Sequence, residues 1–181
     1  MLAAILADAF REDPVVNWAF PGPRATGAVF AAMMRHVYLP AGRVELLGDD
    51  GAAAWLTHDA PKDLPILARL RLMALVTMAG GFGVMGRVTA LEKAMAAQRP
   101  DKPHLYLFAI GVRQRARGRG LGGRLMDPVL AACDARGDAV YLENSNPANH
   151  RFYASRGFET RSVFQAAKGA PSLEAMWRNP R

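Results

Sequence analysis

The chain has 181 residues, and its Lys and Arg residues outnumber Asp and Glu by 23 to 16, which gives a formal charge of +7. This length suits one domain with a substantial core and is short for two, so we expect a single domain over residues 1–181. A hydrophobic content of 51% argues against a disordered chain. The positive charge favours a polyanionic partner, a class that includes nucleic acid, an anionic membrane and a phosphorylated small molecule.

The one cysteine, Cys133, cannot form an internal disulfide, and this favours a reducing compartment. We therefore expect a cytoplasmic protein. The most lipid-like run, residues 73–86, is interrupted by glycines and is shorter than the roughly 20 apolar residues that a membrane span needs. The sequence thus predicts no membrane partner.

The first third of the chain predicts helices followed by a hairpin. Apolar residues within 2–10 fall at helical spacing, which predicts an amphipathic helix. The prolines and glycine of residues 12–24 predict an irregular turn, and a second helix is expected at about Thr26–Tyr38. Val44–Leu47 and Ala52–Thr57 are predicted strands, joined by a Gly-Asp-Asp-Gly turn that is typical of a hairpin.

Residues 62–98 have a helical period broken by glycines, which predicts two helices around a flexible joint. After them, Leu105–Val112 is a continuous apolar run, as expected of a strand buried on both faces. An arginine-rich loop then leads into a helix that ends near Arg136, and Ala139–Glu143 predicts the next strand. The remaining predicted elements are a helix capped by Asn146 and strands over Phe158–Phe164 and Ser172–Trp177. Strands that alternate with helices predict an α/β fold with a mixed sheet.

A glycine- and arginine-rich loop, Arg117–Gly123, lies between the buried strand and the following helix. The first turn of a helix has unpaired N–H groups and a partial positive charge, which together attract phosphate oxygens. Glycines let the backbone approach such a ligand closely, and flanking arginines can add charge-assisted hydrogen bonds. The loop therefore predicts a phosphate-binding site.

Two other interpretations of this loop remain open. Gly118, Gly120 and Gly123 also satisfy the spacing of a dinucleotide-binding loop, and Glu143 lies where a ribose-binding acid is expected. Against an NAD(P)-type site, Arg113–Arg117 separate the strand from the glycines, which in that fold follow the strand directly. The loop could equally be a surface turn without a ligand, and the overall charge is compatible with a basic nucleic-acid-binding module. The sequence lacks the interleaved aromatic residues of such a module, which disfavours nucleic acid as a partner.

Two segments resemble the GNAT superfamily of N-acetyltransferases. Arg117, Gly120 and Gly122 match the family's motif Gln/Arg-x-x-Gly-x-Gly/Ala, and Tyr141–Phe158 resembles its next strand and helix, including an asparagine, a tyrosine and a final Gly-Phe pair. Residues 103–160 carry the resemblance, with similarity to a bacterial subgroup that includes puromycin-type acetyltransferases. The resemblance implies a GNAT fold, with a mixed, mostly antiparallel sheet and helices on both faces.

The resemblance also implies that acetyl-CoA is the co-substrate and a small-molecule primary amine the acceptor. In GNAT proteins the loop amides hold the pyrophosphate, the end of the long strand pairs with the pantetheine arm, and a helix asparagine bonds that arm. The residues that correspond to this site are Ile110, Gly111, Val112, Arg117, Gly118, Arg119, Gly120, Leu121, Gly122, Asn149 and Tyr153. Arg113, Arg115 and Arg119 are candidates for the adenosine 3′-phosphate.

Tyr153 and Glu143 are the predicted catalytic residues. By family analogy Tyr153 donates a hydrogen bond to the departing thiolate, either with a lowered pKa or as a plain donor; a core aromatic is the alternative role. Glu143 could accept the proton of the attacking amine, since attack needs a neutral amine, or it could pair with an arginine. The histidines show no metal-ligand spacing, so no metal is expected. We expect direct transfer in a ternary complex.

The helical insert over residues 62–98 is expected near the acceptor site. Its methionines and Phe82 suit an apolar or aromatic amine, although residues of this kind more often belong to a core. A homodimer is compatible with the sequence.

Overall fold

A computed structural model describes residues 1–20, 22–61 and 63–181, so Pro21 and Lys62 of the predicted segments 12–24 and 62–98 lie outside the described residues. The helices are α1 (Leu2–Ala9), α2 (Pro14–Ala19), α3 (Gly22–Met33), a π-helical turn (Met34–Tyr38), α4 (Leu39–Ala41), α5 (Ile66–Gly80), α6 (Gly83–Gln98), α7 (Leu121–Arg136) and α8 (His150–Ala154), with 3₁₀ turns at Gln114–Ala116 and Pro147–Asn149. The strands are β1 (Arg43–Leu47), β2 (Gly51–Thr57), β3 (Leu105–Val112), β4 (Val140–Asn144), β5 (Glu159–Gln165) and β6 (Ser172–Arg178).

The strands form one mixed sheet in the order β1-β2-β3-β4-β6-β5. Neighbouring strands are antiparallel except β3 and β4, which are parallel and connected by α7. The α/β class and the mostly antiparallel sheet predicted from the sequence are confirmed.

Helices cover both faces of this sheet. Alternate residues of β2 point in opposite directions, so Ala52, Ala54 and Leu56 pack in one cluster with α1 and α3, while Ala53 and Trp55 pack in another with α7. We call these the α1 face and the α7 face. The sheet is therefore the middle of three layers.

The parallel strands β3 and β4 separate after a short paired stretch. Their register runs from Leu105 opposite Val140 to Leu107 opposite Leu142. Beyond it, β3 continues to Val112 along β2, while β4 ends at Asn144 along β6. The carboxyl ends of these strands consequently border a gap in the sheet, and α7 begins close to the β3 side of that gap.

The prediction of an irregular turn over residues 12–24 is wrong for most of that segment. Pro14–Ala19 is helix α2, and the Asp13 side chain caps it by accepting from the amides of Val15 and Val16 at 3.0 and 2.9 Å. Pro14 stands in the first turn, where its missing N–H costs no hydrogen bond. Helix α3 likewise begins at Gly22, before the predicted Thr26.

The insert forms two helices, as predicted, with Gly81 and Phe82 between them. Several large apolar side chains of α5 point to solvent, and Met78 and Phe82 are 88% and 89% exposed. These two side chains therefore face solvent. None of the helices in the described ranges has the length and apolarity that a bilayer crossing requires.

Candidate active site

The N-terminus of α7 presents bare backbone. Gly118 and Gly120 have φ angles of 75° and 73°, a region that residues with a side chain rarely adopt, and a Cβ at either position would meet nothing within 4 Å. Gly120 is the N-cap of α7, and among the described residues no side chain caps this end of the helix. The first amides of α7 therefore lack a side-chain acceptor within the described part of the chain, and a helix N-terminus of this kind can bind an anion.

Two further glycines of the loop have a packing role. A Cβ on Gly122 would lie 3.3 Å from the Phe152 ring, and one on Gly123 would lie 2.6 Å from a guanidinium nitrogen of Arg156. Arg156 in turn bonds Asp127 at 2.6 Å and stacks over Phe152 at 4.0 Å. These glycines let α7 and α8 approach each other, a function that the motif alone does not indicate.

Three of the loop arginines are anchored to neighbouring segments. Arg117 donates to the Ala9 carbonyl oxygen at 2.8 Å, Arg113 donates to the Asp49 carbonyl oxygen at 2.7 Å, and Arg115 bonds the Asp50 carboxylate at 2.9 Å. These bonds fix the loop between the end of α1 and the β1–β2 turn. Arg119 is exposed between the two left-handed glycines, so its side chain is the one best placed to meet an anion at this site.

The predicted β3 residues Ile110, Gly111 and Val112 lie on the edge of the gap. Ile110 and Val112 pack against the α7-face cluster, to which Tyr153 also belongs. A Cβ on Gly111 would lie 2.6 Å from the Cβ of Ala9, so this glycine lets α1 lie directly on the strand. The strand end is thus covered by α1 on one face and packs against the α7-face cluster on the other.

Tyr153 lies on α8 and is 7% exposed. Its ring contacts Phe152 and Phe158 with centroid distances of 5.2 and 5.9 Å. Burial, followed by the charge of Asp13, raises the pKa of the Tyr153 hydroxyl above its ordinary value. The phenol is therefore protonated at neutral pH and can donate a hydrogen bond.

Asn149 does not share a regular helix with Tyr153. It ends the 3₁₀ turn that Asn146 caps through a 3.1 Å bond to the Ala148 amide, and α8 begins at the next residue. Asn149 is exposed at the surface whereas Tyr153 is buried. Two residues four apart on a regular α-helix share one face, whereas the 3₁₀ turn gives these two side chains different environments.

Glu143 lies near the end of β4, on the α1 face together with Tyr141. Both carboxylate oxygens are buried. Burial first, and then the Glu143 charge, raise the pKa of the Tyr106 and Tyr141 hydroxyls, so the carboxylate lies close to both rings. Tyr153 packs on the α7 face, so the two predicted catalytic residues lie on opposite faces of the sheet.

Asp13 is a site-bordering residue that the sequence analysis missed. Its carboxylate caps α2 and also accepts a 2.5 Å hydrogen bond from the Ser145 hydroxyl, just after β4. Burial raises the pKa of Asp13, and its charge acts on Tyr153. The Asp-Pro pair at the start of α2 is the signal that could have identified it as a cap.

Other reactive groups in the described residues are dispersed. No three His, Cys, Asp or Glu side chains of those residues cluster as a metal site would require. Cys133 is buried in α7, and burial raises the pKa of its thiol, which disfavours a nucleophilic thiolate.

Comparison with known proteins decides the family. The model of the acetyltransferase (GNAT) family matches residues 50–158, which include the β2–β4 core, the glycine loop and α8. The chain belongs to the GNAT family. This GNAT chain is 33% identical over 90 residues to an uncharacterized N-acetyltransferase of Schizosaccharomyces pombe, an alignment that covers 49% of the chain and 36% of that relative. The chain thus spans about a third of the length of the curated relative that it matches.

Solved GNAT structures share the whole fold. One from Corynebacterium glutamicum, described as histone acetyltransferase HPA2 and related acetyltransferase, has a TM-score of 0.73 at 23% identity and covers 99% of this chain and 90% of its own. Arylalkylamine N-acetyltransferase 2 of Aedes aegypti has a TM-score of 0.58 at 14% identity, covering 98% and 92%. An aminoglycoside 6′-N-acetyltransferase complexed with coenzyme A has a TM-score of 0.53 at 12% identity, covering 99% and 91%. The predicted GNAT fold is confirmed.

Proposed function

We propose that this protein is an acetyl-CoA-dependent N-acetyltransferase that acts on a small-molecule primary amine in a ternary complex. The observation that carries the proposal is the start of α7, which no side chain of the described residues caps. Gly118 and Gly120 lie just before this helix, and a Cβ at either position would have no neighbour within 4 Å among the described residues. The loop follows the end of β3, the part of that strand that no longer pairs with β4. A diphosphate fits this position because a helix N-terminus without a side-chain cap offers several amide donors. Family membership and the coenzyme A complex of a structural neighbour support the same co-substrate.

The residues proposed to hold the coenzyme surround the gap in the sheet. The amides of Arg117–Gly122 would bind the pyrophosphate, and the exposed Arg119 would add a charge-assisted hydrogen bond. The backbone of Ile110–Val112 would pair with the pantetheine arm as an added strand, since β4 has left that edge. Asn149 would bond the same arm from the exposed 3₁₀ turn.

Acetyl-CoA supplies an activated thioester carbonyl when it is bound. We propose that the neutral amine forms the new C–N bond as the C–S bond breaks. One amine proton passes to Glu143, directly or through water, and the protonated Tyr153 donates a hydrogen bond to the leaving sulfur. In this proposal the base, Glu143, lies on the α1 face of the sheet, and the hydrogen-bond donor, Tyr153, lies on the α7 face.

The finer assignments rest on sequence similarity and on the fold. We propose a single domain over residues 1–181, with the insert over residues 62–98 bordering the acceptor site, because α6 ends beside β5 through the bond from Ser162 to Gln98. On the same grounds we propose that the chain belongs to the bacterial subgroup that includes puromycin-type acetyltransferases. We also propose that it is cytoplasmic and forms a homodimer. The arylalkylamine and aminoglycoside enzymes among the structural neighbours are consistent with a small amine as acceptor.

The alternative functions have less support. A dinucleotide site needs a doubly wound parallel sheet, whereas β3 and β4 are the parallel pair in a sheet that is otherwise antiparallel. A nucleic-acid module needs available cations, but Arg113, Arg115 and Arg117 already bond neighbouring segments.

Paired glycine substitutions at the two ends of α7 test the proposal. Gly120→Val and Gly137→Val both place a branched side chain at a positive φ, 73° and 74°, where nothing lies within 4 Å. Both should destabilise the fold by about 1–2 kcal/mol, the cost of left-handed backbone. We expect calorimetry to detect coenzyme A binding to wild type and Gly137→Val but not to Gly120→Val.

Equal affinity in the two variants would remove the α7 N-terminus from the coenzyme site. Binding of a nicotinamide dinucleotide in place of coenzyme A would favour the alternative function. Folding of each variant is checked by its denaturant transition before the titration.

A further inference from the structure

A cavity of about 730 Å³ opens on the α1 face, beside β5 and β6. Its walls include Gln98, Arg99 and Lys102 from the segment between α6 and β3, together with Arg161, Ser162 and Trp177 from the sheet. A volume of this size is typical of pockets for small molecules, which are roughly 300–1,000 Å³. The cavity is distinct from the glycine loop at the start of α7.

The lining has a strong positive charge. Arg99, Lys102 and Arg161 face a single acidic residue, Asp101. The Nε of Arg99 is buried and has no hydrogen-bond partner among the described residues, although a buried guanidinium N–H normally has one. Arg99 also lies over the Tyr106 ring at 5.4 Å. The lining thus brings three cations together, one of them with an unpaired buried N–H, and an oxyanion can complement such a group.

An aromatic wall stands beside these cations. Arg161 lies over the Trp177 ring at 5.7 Å, and the Trp177 indole N–H donates to the Asn179 side chain at 2.8 Å, which fixes the ring. On the other side, Ser162 bonds Gln98 at 2.5 Å and ties β5 to the end of α6. The cavity has ordered walls that could accept an apolar or aromatic body next to a charged group.

The strand register connects this cavity to the proposed base. Glu143 lies opposite Ala175, which in turn lies opposite Ser162 of the cavity wall. Two strand spacings correspond to roughly 10 Å, and all three residues belong to adjacent strands of the same sheet. Glu143, Arg99 and Arg161 also act electrostatically on one group, the Tyr141 hydroxyl. The cavity wall and Glu143 therefore lie about two strand spacings apart on the same sheet.

We propose that the acceptor is an amine that also carries an oxyanion, either carboxylate or phosphate, and that the cavity binds this anionic end. Arg99 and Arg161 bind the oxyanion, Trp177 packs against the body of the molecule, and the amine points along β6 towards Glu143. This inference rests on the proposed function, because it assigns the acceptor of the same reaction.

Binding experiments without acetyl-CoA test the cavity directly. The probes are the common amino acids, their neutral carboxamides, and O-phosphoethanolamine with ethanolamine as its neutral partner, each titrated by calorimetry. We expect the anionic member of at least one pair to bind at least about 10-fold more tightly than its neutral partner, since hydrogen bonds to charged groups contribute about 1.5–3 kcal/mol. The amino-acid and phosphoethanolamine arms distinguish carboxylate from phosphate.

Variants then assign the effect to the cavity. Arg161→Gln, at an exposed position, should lose about 10-fold or more in affinity for the anionic probe and keep its affinity for the neutral partner. Arg99→Gln should do the same if it folds. Arg24→Gln, an exposed arginine on α3, serves as the matched control and should bind as wild type does.

Thiol-release assays at saturating acetyl-CoA separate this inference from the proposed function. We expect kcat/KM for the anionic amine to fall in Arg161→Gln while coenzyme affinity stays unchanged. If neutral amines bind and react as well as anionic ones, or if Arg161→Gln matches Arg24→Gln, the acceptor assignment is wrong although the enzyme remains an acetyltransferase. If coenzyme A does not bind at all, the proposed function fails, whereas the calorimetric comparison of probes still tests the cavity.

Discussion

At the scale of single residues, the packing of Tyr153 is compatible with the chemical role proposed for it. Its ring fills the space between Phe152 and Phe158, and its hydroxyl stays protonated because burial raises its pKa. The two roles that the sequence left as alternatives are therefore compatible. Phenylalanine at this position would keep the packing and remove the hydroxyl alone.

Tyr153→Phe should slow turnover by about 10- to 100-fold, because a hydrogen bond to a charged leaving group contributes about 1.5–3 kcal/mol. Coenzyme affinity should change little, and calorimetry with coenzyme A measures this in the same preparation. Wild-type turnover at saturating substrate in the variant would exclude Tyr153 from the mechanism.

The pH dependence provides a second check on this residue. A phenol whose pKa is raised above the ordinary value of about 10 stays protonated at lower pH, so it remains a donor throughout the working range. Below about pH 10, deprotonation of Tyr153 should therefore not reduce the turnover of the wild-type enzyme. If wild-type turnover falls in this range and that of Tyr153→Phe does not, the tyrosine titrates there and this prediction is wrong.

The sequence predicted some site residues better than others. The left-handed backbone at Gly118 and Gly120 could be predicted because glycine, which has no Cβ, is the residue that adopts it readily, and this property is local. The bonds of Asp13 to Ser145 and of Arg156 to Asp127 could not be predicted, since their partners are distant in the chain. Local geometry was thus predictable where one segment determines it alone.

At the scale of elements, α7 connects the glycine loop to the C-terminal strand. Near its end, Asp134 bonds Arg178 of β6 through both carboxylate oxygens at 2.7 Å. Arg178 is 3% exposed, so the carboxylate neutralises a buried cation. The hydrogen bond from Arg178 lowers the pKa of Asp134 to about 2. This pair fixes the end of α7 on the sheet.

Asp134→Asn should lower the free energy of unfolding at pH 7 by about 1–3 kcal/mol, because it leaves Arg178 without its counter-charge. A carboxylate with a lowered folded-state pKa stabilises the fold above its unfolded pKa of about 3.9, and this contribution is lost as the pH falls towards 2. Urea unfolding should accordingly show the difference between wild type and variant narrowing between about pH 4 and pH 2. A difference that stays constant over that range would contradict this account of the pair.

Most elements were predictable from local patterns, and the exceptions have local causes as well. The strands follow from apolar runs bounded by turn residues, and α7 continues through Pro128 as a single helix because its apolar face persists beyond the proline. Helix α2 was not predicted because prolines usually interrupt a helix. Pro14 follows the capping Asp13, however, and a proline in that position starts a helix.

At the scale of the whole molecule, the sheet order depends on contacts that no segment contains. The pairing of β4 with β6, and the short pairing of β3 with β4, join residues far apart in the chain, so neither could be derived from periodicity. The family resemblance supplied this level of the prediction, and the match to residues 50–158 supports it. The position of the cationic cavity was not predictable for the same reason.

Coenzyme A should stabilise the whole chain against heat. At a concentration about 100-fold above its dissociation constant, a ligand that binds only the folded state contributes about 2.7 kcal/mol. For a chain of this size that corresponds to a rise in Tm of about 5–10 °C. Scanning calorimetry measures the shift, and Gly120→Val should show none; an equal shift in that variant would place the ligand elsewhere.

The early separation of β3 from β4 has a consequence for the protein before any ligand arrives. Between Phe108 and Val112, alternate backbone N–H and C=O groups of β3 point towards the side from which β4 has separated, so water must solvate them. Their amide protons should exchange with deuterium quickly, although the strand lies in the middle of the sheet. If an added ligand slows this exchange, the protected amides identify the positions at which the ligand pairs with β3 as a seventh strand of the sheet.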